Sequence, residues 1–527
     1  MTLRLDYLSP LPPVRSGISD YSVDLLPHLG RVADVRVLRL AEQPVDDAVA
    51  ERFAVREGAS AAGTDGRLPL YQMGNNRYHA AIWEVARRVP GVVVLHDLVL
   101  HHFLLDRTVG RGEWEPYRDE LAACHGWIGD AVARPVRFGI FGRAGQFELP
   151  ANRTLLERQR GVVVHGRWAA ARLAEEDPRL AVRVVPMAIP LPAAVARERG
   201  RAFRRRLDIP VEAPLLGSFG FQTPIKRTEV AIRALAEPGL EQVRLLIAGE
   251  PSPYARYAEL AAKLGVGERV TVTGFLPFAE LEAAIAATDL CLNLRYPSAG
   301  ETSASLLRIL AVGRPVIVSE YAEFAELPPS VAIAVPLGDD EATQFAARVL
   351  EHTSGGLESL AAMGERARAH VAEHHDPERA ARAMAAAVAE LATFEPPGAA
   401  APAVPSRTSL TDSRPAIALE VAGLDGWRPG ERRTLEVAIE NRGDSTWLPS
   451  PEDPGGVSFE VQLWVDGIDR WRGPWLKLAA PLVAGERRTL PLPARRPLGR
   501  ARLLIKPKIA TAGGTRPFAD RVFDRWL

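Results

Sequence analysis

The stretch from Arg295 to Gly313, RYPSAGETSASLLRILAVG, carries residue types that could hold an anion and a set of hydroxyl groups side by side. Just before it, Asp289 to Arg295 alternates apolar and polar residues as a strand does. Tyr296-Pro-Ser-Ala-Gly300 interrupts that pattern, and Leu306, Leu307, Leu310 and Ala311 then recur at helical spacing. Glu301, Thr302 and Ser303 are therefore expected at a strand–loop–helix junction, with Ser303 as the helix N-cap. In an open parallel sheet such a junction lies at the carboxyl edge, where ligands bind. The first helical turn offers unpaired N–H groups to an anion. A carboxylate beside that anion would be repelled, so Glu301 is assigned to hydroxyl groups, and the combination suits a sugar nucleotide.

Other chemistry-bearing residues fall at similar junctions. Val92-Val-Val-Leu-His96-Asp97 is a continuous apolar run of the kind found in a buried parallel strand, and it delivers His96 and Asp97 to a carboxyl edge. His101 and His102 read as half-exposed on the helix that follows. Ser16-Gly17 leads into an amphipathic helix reaching about Leu29; Gly17 is free in its backbone angles and lets a ligand approach the main chain. Gly74-Asn75-Asn76 is a polar loop after another strand. Gln222-Thr-Pro-Ile225 is a loop, with Lys226 opening a helix and Arg227 beside it.

The elements that must position these residues alternate. Strands are expected at Leu3–Leu8, Val35–Leu40, Leu68–Met73, Val92–Leu95, Gly161–His165 and Val182–Pro186, with helices between them, which argues for a doubly wound sheet over residues 1–190. A second alternating array over 191–393 starts from Pro214–Phe221 and continues through strands near 243–248, 270–273, 290–295, 316–319 and 331–335. Three closing helices follow, and the last is expected to cross back to the first domain. The basic run Arg197 to Leu207 reads as a solvated linker helix, with a membrane-surface contact as the competing reading. Residues 394–415 form a Pro/Ala/Ser-rich linker. From 416 to 527 the period changes to two, as in Arg433–Glu440 and Val457–Val465, which suggests an antiparallel sandwich. Its Trp447, Trp464, Trp471 and Trp475 are expected in core packing more than in sugar stacking.

Bulk properties narrow the classes. The 527 residues, at roughly 150 per domain, predict three or four domains. Lys plus Arg and Asp plus Glu both total 65, so the overall charge gives no argument for nucleic acid. Cys124 and Cys291 match no metal-ligand spacing, and Cys291 reads as a buried, inert thiol. With no secretory signal and no run of about 18 apolar residues, a cytosolic chain is expected.

The pieces PPVRSGISDYS, YQMGNN, VVVLHD, GSFGFQTPIKR, VTVTGFLP and GETSASLLRILAVGRPVIVS, in that order, make the first 390 or so residues resemble a retaining glycosyltransferase of family 4 (glycosyl transferases group 1). The resemblance implies a GT-B fold: two Rossmann-like domains facing a cleft, here followed by a C-terminal immunoglobulin-like β-sandwich, since NRGDSTWLP looks like modules appended to other enzymes. It implies that His96 lies near the transferred sugar, that Lys226 binds the diphosphate, that Gly17 abuts it, and that Glu301 stands near the first glutamate of the E-x7-E motif. Donor-binding roles extend to Gly220, Arg227, Gly274, Phe275, Arg295, Thr302 and Ser303, and acceptor-binding roles to Ser16, Asn75 and Asp97. Three positions depart from the pattern. Counting back from Gly313, the second glutamate falls on Arg308 and the first on Gly300, so Glu301 is displaced by one. Phe221 stands where an arginine usually follows Gly220.

The resulting expectation is a metal-independent, retaining sugar transfer from a nucleotide-sugar co-substrate to a glycan or lipid-linked acceptor, with no cofactor. It would take place in the cytoplasm or peripherally at the inner face of a membrane. A sugar-nucleotide epimerase of the same architecture and a non-catalytic nucleotide- or glycan-binding scaffold are the alternatives.

Overall fold

In the computed structural model, both expected parallel sheets form. The structure describes residues 2–40, 45–139, 143–193, 197–253, 255–338, 340–354, 358–398, 416–443, 445–447, 456–465, 468–472, 476–478, 482–497, 501–511, 514–517 and 523–527. The first sheet contains β1 (Arg4–Leu8), β2 (Asp34–Arg39), β3 (Ala54–Glu57), β4 (Leu68–Met73), β5 (Val92–Leu95), β6 (Gly161–Val164) and β7 (Val182–Val184) in the order 3-2-1-4-5-6-7. All of its pairings are parallel. Burial on both faces explains the unbroken valine runs of β5 and β6, every residue of which is buried.

The second sheet contains β8 (Leu215–Phe219), β9 (Arg244–Ala248), β10 (Val270–Gly274), β11 (Leu290–Asn293), β12 (Val316–Ser319) and β13 (Ala332–Val335) in the order 10-9-8-11-12-13, again parallel throughout. Strand order reverses between β1 and β4 in one sheet and between β8 and β11 in the other. Those switch points are where ligands of such folds bind.

The basic segment is a helix, Arg197–Arg206, held down by one of its own arginines. Arg204 is buried, donates to the Ala287 carbonyl at 2.7 Å and pairs with Asp289 at 2.7 Å, so the helix is docked on the second lobe. The closing helix Pro377–Leu391 does return to the first lobe. Asp376 caps it by accepting from the Arg379 amide at 2.9 Å, its apolar face packs on the helix Gly17–Leu29 and on β6, and Arg183 donates to Glu390 at 2.9 Å.

The C-terminal region forms antiparallel sheets. β14 (Ile417–Ala422), β15 (Arg432–Asn441) and β19 (Arg487–Arg495) make one, in the order 14-15-19. β16 (Val457–Val465), β17 (Ile468–Arg472), β18 (Leu476–Lys477), β20 (Ala501–Thr511), β21 (Gly514–Pro517) and β22 (Phe523–Trp526) make the other. Residues of both share one core around Trp427, Trp447 and Phe459. Trp447 is fully buried, as expected of a packing tryptophan, whereas Trp464 is half-buried; Trp475 lies outside the described residues, as does the side chain of Trp471.

The chain divides into two units, residues 1–103 with 152–399 and residues 104–151 with 400–527. Between Trp114 and Pro150 the chain forms two helices, Trp114–Val136 and Arg143–Glu148, and Gly126 breaks helical geometry within the first (φ 59°, ψ −139°). Both cysteines are buried. No helix among the described residues is long and apolar enough to cross a membrane.

Candidate active site

Gly220, directly after β8, has φ +86°, a conformation that favours glycine, and the space above it is shared. A Cβ placed there would lie 2.9 Å from Lys226 Nζ and 3.6 Å from Ser305 Cβ. The Lys226 ammonium and the first turn of the helix Ala304–Val312 therefore meet over one glycine, within reach of a single diphosphate. Ser303 is the N-cap: its Oγ accepts from the Leu306 amide at 3.3 Å and lies 3.1 Å from Ser305 Oγ, to which Asn293 donates at 3.2 Å.

Lys226 is buried and donates to the Phe219 carbonyl at 2.5 Å. Burial, and then the nearby Arg295 guanidinium, push its pKa down to about 7, while Glu301 pulls the other way. It does not open a helix as the sequence suggested. Pro224 starts a single 3-10 turn ending at Lys226, Arg227 follows at φ 50°, and the helix begins at Thr228. That left-handed residue redirects the chain. Arg227 pairs with Glu341 and lies over the Tyr296 ring at 5.8 Å, a second engagement for a side chain expected to face the donor.

The loop that carries Glu301 is tied to both lobes. Glu301 sits 2.9 Å from Arg295 Nε and accepts from Ser298 Oγ and the Ala299 amide, each at 2.9 Å. Its carboxylate is thus one residue beyond the expected position, and Gly300 shows why. Gly300 has φ +73°, and a Cβ there would come within 2.5 Å of Leu98 Cβ and 3.0 Å of Trp168, so no side chain fits. The Ala299 carbonyl accepts from the Val99 amide of the other lobe at 2.8 Å. Thr302 is half-buried between Glu301 and the cap.

On the first lobe, His96 is buried with Nε2 2.8 Å from Gln72 Oε1, and its ring packs against Tyr21 and His165 at centroid distances of 4.8 and 4.9 Å. Burial holds it neutral, with a pKa well below the usual histidine value. Its Nδ1 is buried and meets no hydrogen-bond partner among the described residues.

Asp97 accepts from the Asn75 amide at 2.8 Å; burial and then the Glu301 carboxylate raise its pKa to about 7. The Asn75 side chain accepts from the Phe103 amide at 2.8 Å and lies 3.3 Å from His102 Nδ1, so it staples the loop. His101 is fully buried, unlike the half-exposed reading. Ser16 is an N-cap, accepting from the Ser19 amide at 3.1 Å. Gly17 is the first residue of that helix without a positive φ, so its backbone freedom is not used; the space beside it is open.

Asp24, Arg15, Glu323 and Glu326 were not picked out by sequence reasoning, although Arg308, Gly274, Phe275 and Phe221 were. Arg308 pairs with Asp24 of the first lobe at 3.0 Å and lies over Phe278 at 4.7 Å; burial lifts Asp24 to about 6 against that arginine. Beyond Gly274, which has φ +73°, Phe275 is 54% exposed and is covered by Arg15 of the first lobe at 5.4 Å. Phe221 is also 54% exposed. Glu326, after β12, accepts from the Arg167 amide at 3.2 Å and from the Trp168 amide, which begin the helix Arg167–Glu176. Glu323 is pressed against Gly166, and neither of its buried oxygens finds a donor among the described residues. Burial, followed by Glu301, raises its pKa well above the usual value. The position of both acids after a strand end was the available signal.

Two parallel-sheet lobes of GT-B architecture thus face each other, one edge carrying Lys226 and the Ser303-capped helix start, the other the buried His96 and Asp97. Residues 213–354, most of the second lobe, match the family model for glycosyl transferases group 1. The chain is 28% identical over 311 residues to D-inositol 3-phosphate glycosyltransferase from Nocardia farcinica, an alignment that spans 54% of this chain and 64% of the relative. Among solved structures it resembles sucrose-phosphate synthase from Thermosynechococcus elongatus, with TM-score 0.53 and 16% identity over 74% of this chain and 99% of that one. A glycosyltransferase from Rickettsia africae gives 0.53 and 13% over 74% and 99%. HepE of Anabaena in complex with UDP and glucose gives 0.52 and 15% over 74% and 100%. These structural likenesses concern the fold.

Proposed function

We propose that the chain is a retaining, metal-independent hexosyltransferase of family 4 that moves a sugar from a nucleotide-sugar donor to a glycan or lipid-linked glycan. The observation that supports it most is the convergence of Lys226 with the helix start at Ser303 and Ser305 over Gly220. Breaking the bond between the anomeric carbon and the diphosphate leaves negative charge on the departing oxygen, and preorganised donors there lower the barrier. Lys226 takes up a proton as the diphosphate arrives, because a neighbouring anion favours the charged amine. The acceptor hydroxyl attacks on the face the diphosphate leaves. Its proton passes to the departing phosphate oxygen as the new glycosidic bond forms. Glu301, fixed by Arg295 and Ser298, offers a carboxylate to sugar hydroxyls, and neutral His96 with Asp97 lines the opposite wall.

The relative bound to UDP and glucose makes UDP-sugars the first donors to try. A thermal-shift screen across UDP-, GDP- and other nucleotide sugars should show one donor raising Tm. Transfer with that donor should persist in chelator and give a product with the donor's anomeric configuration by NMR. Inversion, a chelator-abolished reaction or epimerised donor without acceptor would each count against this reading. The docked helix Arg197–Arg206 keeps other exposed arginines available for an anionic membrane surface, where we place the enzyme peripherally on the cytoplasmic side. We read the C-terminal sheets as an immunoglobulin-like module.

A further inference from the structure

We propose that a groove at one end of the C-terminal sheets binds a polysaccharide strand bearing carboxylates or phosphates. The groove is an open one of about 810 Å³, between the ends of β15 and β19 on one side and β16 on the other. That volume lies within the range of about 300–1,000 Å³ common for ligand sites. Its apolar lining includes Leu463 and Pro493, and four arginines surround it: Arg432, Arg433, Arg495 and Arg496.

Their arrangement departs from what a self-sufficient sheet would choose. Arg432 and Arg495 are directly opposed in the antiparallel pairing of β15 with β19. Like charges in that position repel. At the far end of the same strand pair Glu440 faces Arg487, the complementary arrangement. Glu431, beside the groove, is already taken: it pairs with Arg433 at 3.0 Å and accepts from the Arg428 amide at 2.8 Å. Arg495 uses only its Nε, donating to the Gly430 carbonyl at 2.9 Å, and Arg432 meets no carboxylate among the described residues. Arg496 donates to the Trp427 carbonyl and keeps a buried Nε with no partner among the described residues. Two arginines paired across the strands therefore line the groove with no carboxylate partner among the described residues, and carboxylate or phosphate matches the guanidinium fork.

The same surroundings disfavour other occupants. β19 is an edge strand, but Pro491 and Pro493 have no N–H to offer an added peptide strand. Leu463 is buried in the groove floor, so it cannot insert into a bilayer. Apolar lining below and guanidinium groups above suit sugar rings that carry acidic substituents. The choice of a glycan among polyanions rests on the glycosyl-transfer reading.

Calorimetric titration of the full chain with polygalacturonate tests it. Binding is expected at low ionic strength, weakening as salt is added, with none to neutral dextran. The double variant Arg432→Ala/Arg495→Ala should bind roughly tenfold more weakly or worse, with Tm unchanged or raised because two exposed, mutually repelling charges are removed. Arg201→Ala/Arg205→Ala, on the other basic surface, should bind as the parent does. Lys226→Ala should retain binding too, which supports the groove whether or not transfer is ever detected. Equal affinity in the Arg432/Arg495 variant, an equal loss in the Arg201/Arg205 variant, or binding to phosphatidylglycerol vesicles in place of the polymer would overturn the proposal.

Discussion

The two parallel sheets share an architecture but differ in what they place at their carboxyl edges. The first lobe ends its strands in groups that burial pushes toward their neutral forms: His96 is held below the usual histidine range, His165 is pushed down to about 4, and Asp97 is raised to about 7. The second ends its strands in Lys226, Arg295 and Glu301, with a capped helix start alongside. A neutral, desolvated wall suits an uncharged hydroxyl group, whereas the charged wall suits a leaving group that gains negative charge. The topology supplies two similar edges, and a few residues at the strand ends set how their charge differs.

Four experiments would break or sharpen that contrast. Lys226→Ala should lower kcat/KM by about 10²–10³-fold, the range seen on deleting one preorganised donor, with Tm preserved; unchanged turnover would remove the charged wall from the chemistry. His96→Ala should cost about 10²-fold in transfer through acceptor misplacement while donor affinity, read by calorimetry, holds; a matching loss of donor affinity would erase the division of labour. Arg308→Ala should destabilise by about 1–2 kcal/mol, between the values for exposed and buried pairs. A double-mutant cycle with Asp24→Ala should recover the coupling, and none would mean the lobes are not joined there.

The smallest effect is in pH dependence, and its sign differs between the walls. Asp97 is raised from 3.8 to about 7, so the folded state binds more protons, and its contribution to stability declines between about pH 4 and 7. Lys226 is lowered from 10.5 to about 7, so the unfolded state binds more protons, and its contribution rises from about pH 7 to 10.5. Denaturation curves of Asp97→Asn should lose only the acid-side slope, and those of Lys226→Ala only the alkaline one.

What the sequence revealed was the part governed by local chemistry and by strand order. The Ser303 cap follows from a serine before an apolar helical repeat, and the approach of Lys226 to that helix follows from adjacent strands β8 and β11. The edge strand β19 was missed because Pro491 and Pro493 argue against a strand, a penalty that vanishes where the missing N–H would face no neighbour. β3 was missed because AVRE is mostly exposed and carries no period. Contacts between distant segments left no local trace: Arg308 and Asp24 lie 284 positions apart, and the steric demand at Gly300 comes from Leu98 and Trp168 of the other lobe.

The returning helix Pro377–Leu391 carries a mechanical consequence. The chain passes between the lobes twice, and the passages run side by side: the Ile189 amide donates to the His375 carbonyl at 2.9 Å, and His375 Nδ1 lies 2.9 Å from the Met187 carbonyl. A door hung on two adjacent pins swings about the line joining them and resists twisting. Opening to admit substrate should then be a one-axis swing, and cutting either pin would free the lobes to wander.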